Sequence, residues 1–247
     1  MYAWMESGQL YIKSEYGRSM RTQLRHFPVW DVGSPVDVGH YGLIEDNCFT
    51  LLGSVISDFQ ATPEVNDSAQ PGFWEFSSEG TRVDDSDLAT ALTAARVEAS
   101  IRLSFTGAYS IYIRAAESRV RALTNAGELG RQLANHPDWK RRAYVFVTSV
   151  RIAPMPVVIV STQRDSAVTL TAHPRILENV QAGKVNVHSG VKVTGNAGLT
   201  SIGSQATLYA DLLRIGWLGG VGKAALPGRS GPAPIERVDP LKNITIH

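Results

Sequence analysis

One cysteine, Cys48, stands in this sequence, so no disulfide can form within the chain. A single unpaired thiol suits a reducing compartment. Long apolar runs are also missing. The richest stretch, 143–160, is interrupted by Thr148, Arg151, Pro154 and Pro156. No window reaches the roughly 18 apolar residues that mark a membrane-crossing helix. Met1 to Gly8 carries Glu6 and no apolar stretch of the kind a secretion signal needs. Charge of one sign is scarce: the formal net charge is +1, and charged residues make up 19% of the chain. No global field therefore draws it to nucleic acid or to a membrane surface. These absences predict a chain made soluble in the cytosol, with no nucleic-acid partner, that reaches a membrane only by a route other than a spanning helix.

Catalytic and cofactor signatures are absent too. Gly222-Lys223 lacks the earlier glycine and the following Ser or Thr of a phosphate loop, since Trp217 and Ala224 stand there. No glycine-rich dinucleotide loop lies between a strand and a helix. His26, His40, His136, His173, His188 and His247 have no ligand spacing and no cysteine partners, so no zinc site is expected. Asp84, Asp85 and Asp87 read as a helix cap with a solvated loop, and Cys48 beside Phe49 reads as a small buried hydrophobe. No cofactor and no catalytic residue is implied.

What is present is a strand-rich pattern. Hydrophobic residues make up 43% of 247 residues, enough for one sizeable core with a small appendage, and 22 glycines serve many turns. Residues 1–30 mix aromatic and basic side chains, and a helix or an edge strand both fit. Residues 36–59 read as short strands with tight turns, and 61–87 as a long loop holding a small strand at Phe73–Phe76. A short helix is expected around Leu88–Leu92.

The most informative segment follows. Val97, Ala99, Ile101, Leu103, Phe105, Gly107, Tyr109, Ile111 and Ile113 alternate without a slip against Glu98, Ser100, Arg102, Ser104, Thr106, Ala108, Ser110 and Tyr112. Side chains on a strand alternate faces, so one long strand, apolar on one side and polar on the other, is predicted. It would run roughly 56 Å at about 3.3 Å per residue. Two short helices are expected over Glu117–Ala134, then strands over 143–152 and 157–160. A further alternating strand carries Val185, Val187, Val191 and Val193, and a last strand covers Gln205–Trp217. From Gly219 a Gly/Pro/Ser linker leads to a short tail with Ile235, Val238, Leu241, Ile244 and Ile246.

In order and pattern the chain resembles the pore-forming domain of the gasdermin family, especially its short bacterial and fungal members. Ala143-Tyr-Val-Phe-Val-Thr-Ser-Val150, Val180-Gln-Ala-Gly-Lys-Val-Asn-Val187 and Gln205–Ile215 are similar to strands of that family, and Val36–Leu43 and Phe49–Gly53 to its early strands. Bacterial members of that family carry an acylated cysteine near the N-terminus, whereas the only cysteine here is Cys48. The resemblance implies an α+β fold, with a twisted, largely antiparallel central sheet of long strands flanked by short helices. It implies a pore-forming domain at 1–218 and a linker and autoinhibitory tail at 219–247. It further implies proteolytic activation, with Gly228, Arg229 and Ser230 in the exposed linker. The latent monomer would be cytoplasmic, and a homo-oligomeric β-barrel would form in the cell membrane and kill the cell, as a microbial defence. Val97–Ile113 and Val185–Val193 would then be the inserting strands, and Trp139, Lys140, Arg141 and Arg142 would meet lipid headgroups. The alternative is a soluble, non-enzymatic binding or scaffold module.

Overall fold

The computed structural model describes residues 3–30, 34–67, 71–140, 143–181, 191–195, 197–202, 205–215 and 235–237. The open choice at the start of the chain resolves as one long helix, α1 (Ala3–Leu24), whose Tyr16 and Met20, four residues apart, turn into the core. Strands β1 (His40–Glu45) and β2 (Cys48–Ser54) form a hairpin. Its two-residue loop, Asp46-Asn47, holds both residues at positive φ, the geometry that matches strand twist. Ser54 then caps α2 (Val55–Phe59), its Oγ accepting from the Ile56 N–H.

The expected long loop at 61–87 holds β3 (Val65–Asp67) and β5 (Thr81–Asp84) as well as the expected small strand, β4 (Gly72–Ser77). After them come α3 (Ser86–Thr93), β6 (Ala99–Phe105), β7 (Ile111–Leu123), α4 (Ala126–Ala134) and the single turn α5 (Pro137–Lys140). Helix was expected from Glu117, yet 117–123 extends β7. The backbone there pairs with β3 on one side and β8 on the other, and that tertiary ladder outweighs local helix propensity. The chain continues through β8 (Val145–Ala153), β9 (Val157–Ser161), β10 (Ser166–Ala172), α6 (Pro174–Gln181), β11 (Lys192–Gly195), β12 (Ala197–Ile202), β13 (Ala206–Ile215) and β14 (Ile235–Arg237).

The mixed α+β architecture expected from the sequence is the one that forms. A ten-stranded antiparallel sheet runs β12-β9-β7-β8-β1-β2, with β13 beside β8, β14 beside β13, and β3 and β4 beside β7. Strand β8 lies at its centre, with Val145, Phe146, Val147 and Val150 fully buried. A second sheet has the order β11-β10-β6-β5.

The single strand expected over Val97–Ile113 is divided. β6 belongs to the small sheet and β7 to the large one, with a bend at 106–110 where Tyr109 takes φ +60. The two sheets nonetheless correspond strand for strand. β4, β7, β9 and β12 lie side by side at one end of the large sheet. Each continues across a few residues into its counterpart in the small sheet: β4 into β5, β7 from β6, β9 into β10 and β12 from β11. The molecule therefore contains one four-stranded antiparallel ribbon, creased across its width.

Candidate functional site

The small sheet is amphipathic, and its register shows why. Leu103 sits between Val83 and Val168, and Leu170 between Ile101 and Val193. Residues directly opposite in an antiparallel ladder share a face. Ala99, Ile101, Leu103 and Phe105 of β6 therefore form one apolar surface with Val168, Leu170 and Ala172 of β10, all of them buried. The opposite face carries Arg82, Asp84, Ser100, Arg102, Ser104, Thr169, Thr171, Lys192 and Thr194, with Arg82, Asp84, Arg102, Lys192 and Thr194 exposed.

Two short helices cover the apolar side. Leu88 and Ala91 of α3 and Leu177 and Val180 of α6 pack into the same core as the sheet, together with Tyr112, Val157 and Ile159 of the large sheet. Both helices are eight residues long, below the roughly 12–15 at which an isolated helix becomes even marginal in water. They hold their shape by docking. Polar clasps help. The Asp87 carboxylate accepts hydrogen bonds from Arg96 at 2.7 Å and from the Ser100 N–H and hydroxyl at 2.8 Å each. The Ser100 and Arg96 hydrogen bonds hold its pKa below the usual carboxylate range. Gln181 at the end of α6 donates to Asp85 at the start of α3.

At the other end of the ribbon, helix α1 is the cover. Tyr16 and Met20 pack with Ile111, Ile113, Val158 and Val160. The helix also seats on the β1–β2 turn. A Cβ at Gly17 would come within 2.7 Å of the Asp46 carbonyl oxygen, so only glycine permits this approach. Arg21 is buried, donates to Asn47 Oδ1, and lies 4.9 Å over the Phe27 ring. The Cys48 thiol donates to the Lys13 carbonyl at 3.3 Å, and burial pushes its pKa up to about 12. It is a packed core thiol and not a nucleophile.

Several expected site residues stand elsewhere. Val97 lies outside any strand and is 83% exposed, and Tyr109 lies in the crease. At the start of β7 both faces are buried: Ile111 and Ile113 join the core under α1, while Tyr112 joins the core under α3 and α6. The continuous apolar stripe is thus split between two covers. Trp139, read as a headgroup contact, is 3% exposed. It packs among Tyr41, Phe59, Tyr144 and Phe146 at centroid distances of 5.2–6.1 Å. Its flanking charges suggested an interface, but α5 turns the ring inward. Val191 and Val193 pack at the edge of the apolar face. Ile235 begins β14, which pairs with β13 as Ile215–Ile235 and Leu213–Arg237. Val185, Val187, Arg141, Arg142, Gly228, Arg229, Ser230, Val238, Leu241, Ile244 and Ile246 lie outside the described residues, as does the side chain of Lys140. The sequence reading missed α1, Asp87 and Gly17 as parts of the site. An Asp ahead of an alternating strand is a weak signal, and a glycine inside a helix is a slightly stronger one.

Among the described residues no helix is long and apolar enough to cross a membrane, a test that does not address strands. No protein-family description matches the chain, and no curated protein matches it. It is similar to a bacterial gasdermin of known structure. That solved structure, from Bradyrhizobium tropiciagri, is 14% identical to this chain, covers 91% of it and 90% of its own length, and superposes with a TM-score of 0.36. At that score the functional reading rests on the geometry of this chain itself.

Proposed function

We propose that this protein is a latent pore former whose creased ribbon becomes membrane-spanning hairpins. The observation that carries the reading is the small sheet. One of its faces is apolar except for Thr81 and Ser166 beside Phe105 at one end, and that face is shielded by two helices too short to stand alone. Lipid admits strands only when their backbone groups are paired and one face is apolar. Val97 to Phe105 has the length of a spanning strand, about 9–11 residues. Each buried Leu, Ile or Phe on that face is worth roughly 1.5–3 kcal/mol whether it meets protein or lipid. Exchanging the helices for acyl chains therefore loses little, while remaining in water with the covers gone would be costly.

In this reading the tail from Ile235 onward is the latch. Strand β14 occupies the edge of β13, and an open edge is a template for another strand. A protease cutting the glycine-rich linker near Gly228, Arg229 and Ser230 would free that edge for a second copy. Copies would then assemble into a closed barrel in the cell membrane, with cell death as the outcome and defence as its use in a microbe. The test compares the full chain with a form ending at Leu218, using dye-filled liposomes. The shortened form should leak dye and the full chain should not. If neither form leaks, the proposal fails and a soluble binding module becomes the better account.

A further inference from the structure

The chain as a whole carries a net charge of only +1, yet the polar face of the small sheet is not balanced. The ladder fixes which of its residues stand in line. Arg82 lies opposite Ser104, and Ser104 opposite Ala167. Asp84 lies opposite Arg102, Arg102 opposite Thr169, and Thr169 opposite Thr194. Ser100 lies opposite Thr171, and Thr171 opposite Lys192. Residues directly opposite share a face, so these are three rows crossing the sheet on one side of it.

The rows set Arg82, Arg102 and Lys192 against a single carboxylate, Asp84, and all four side chains are exposed. Asp84 shares its row with Arg102, and the two charges offset each other there. The Ser86 N–H and hydroxyl donate to Asp84 at 3.1 and 2.7 Å, which favours its ionised form. Arg82 and Lys192 stand in the other two rows, where no carboxylate answers them. They lie on β5 and β11, the two outer strands of the small sheet. Two positive charges are thus in excess on this face of each copy, and no row is net negative.

In the folded chain the face meets water, and salt screens these charges. A barrel changes their setting. Its apolar face meets lipid and its polar face lines the lumen, so a row repeated in every copy becomes a ring around the water column. The low-dielectric wall behind such a ring focuses its field into the lumen. Rings of Arg and Lys are what anion-conducting pores use.

We propose that the pore is anion-selective, with Arg82, Arg102 and Lys192 as the residues that set its preference. The inference rests on the pore-forming reading for the barrel. It adds the class of solute that passes: chloride, and small organic anions bearing carboxylate or phosphate, ahead of cations of the same size. The preference is electrostatic and therefore depends on salt, because a ring's field reaches about 3 Å at 1 M and about 30 Å at 0.01 M.

The test uses the full chain with a protease recognition sequence inserted after Ser230, cut while it is bound to a planar bilayer of phosphatidylethanolamine and phosphatidylglycerol. The reversal potential under a potassium chloride gradient reads the preference, and the lipid is common to every variant. The chloride-to-potassium permeability ratio should be roughly fivefold in dilute salt and near one at about 1 M. Arg102→Glu with Lys192→Glu replaces exposed side chains and leaves the core untouched. It should turn the preference towards potassium. Asp84→Asn should strengthen the preference for chloride. Arg131→Glu, an exposed change of the same sign on α4, should leave the ratio where it was. A cut protein that conducts but prefers potassium overturns the selectivity and leaves the pore reading standing. So does a ratio that ignores the paired Arg102 and Lys192 changes, or that moves as far with Arg131→Glu. A cut protein that never conducts overturns both.

Discussion

Leu177→Ala, compared with Leu103→Ala, separates a cover from what it covers. The two leucines are wholly buried in the same core, one on helix α6 and the other on strand β6. Each truncation removes the same atoms, and cavity-forming Leu→Ala changes cost about 2.7–5 kcal/mol. For a domain of this size that corresponds to a fall in thermal midpoint of roughly 5–20 °C. The folded chain should therefore lose similar stability in both variants, as calorimetry would show. Their effects on membranes should diverge. Helix α6 has too few residues to persist undocked, so losing about 3 kcal/mol of docking raises the population of open covers roughly a hundredfold. The full-length Leu177→Ala protein should then leak dye from liposomes, slowly, without proteolysis. Leu103→Ala weakens the cover equally but also removes an apolar residue from the inserting face. In the form ending at Leu218 it should leak more slowly than the unaltered form. If the two variants change leakage in the same direction and to the same extent, α6 is not acting as a removable cover.

Other expectations follow from the same contacts. Asp87 has a depressed pKa in the folded chain. Its stabilising contribution is therefore present above the ordinary carboxylate pKa and is lost as pH falls through the lower folded value. Thermal midpoints measured from neutral to acid pH should fall more in the unaltered protein than in Asp87→Asn, which cannot titrate at that position. Gly17→Ala places a methyl within 2.7 Å of the Asp46 carbonyl oxygen. It should cost about 1–3 kcal/mol in urea unfolding, with hydrogen exchange rising first in α1. Trp139→Ala should destabilise by about 3–5 kcal/mol in the same assay. Trp139→Phe should leave vesicle binding unchanged, and a loss of binding there would restore the ring to the headgroup zone.

Much of the sheet was legible in the chain because period-two alternation and short β-branched runs report strands directly. β8, β9 and β13 fall where they were expected, and Pro154 and Pro156 break the chain between the first two. The apolar face of β6 was legible for the same reason. The division of β6 from β7 was not, since the alternation that marks a strand continues through a bend made by Tyr109 in a left-handed conformation. The β7 residues taken for helix were misread because Val120 and Leu123 fit a helical stripe as well as a strand. The packing of Trp139 was not legible because its neighbours in sequence are basic, whereas its neighbours in space are aromatic.

Local pattern thus determined which segments have an apolar side, because side-chain direction along a strand is a property of the backbone itself. Tertiary structure alone decided where each apolar side is hidden, that a crease divides one stripe between α1 and the α3–α6 pair, and that the ladders on both sides of it keep one register. Those outcomes depend on contacts between residues distant in the chain, such as Phe105 with Ser166 and Ile111 with Val160. No short-range pattern encodes such pairings.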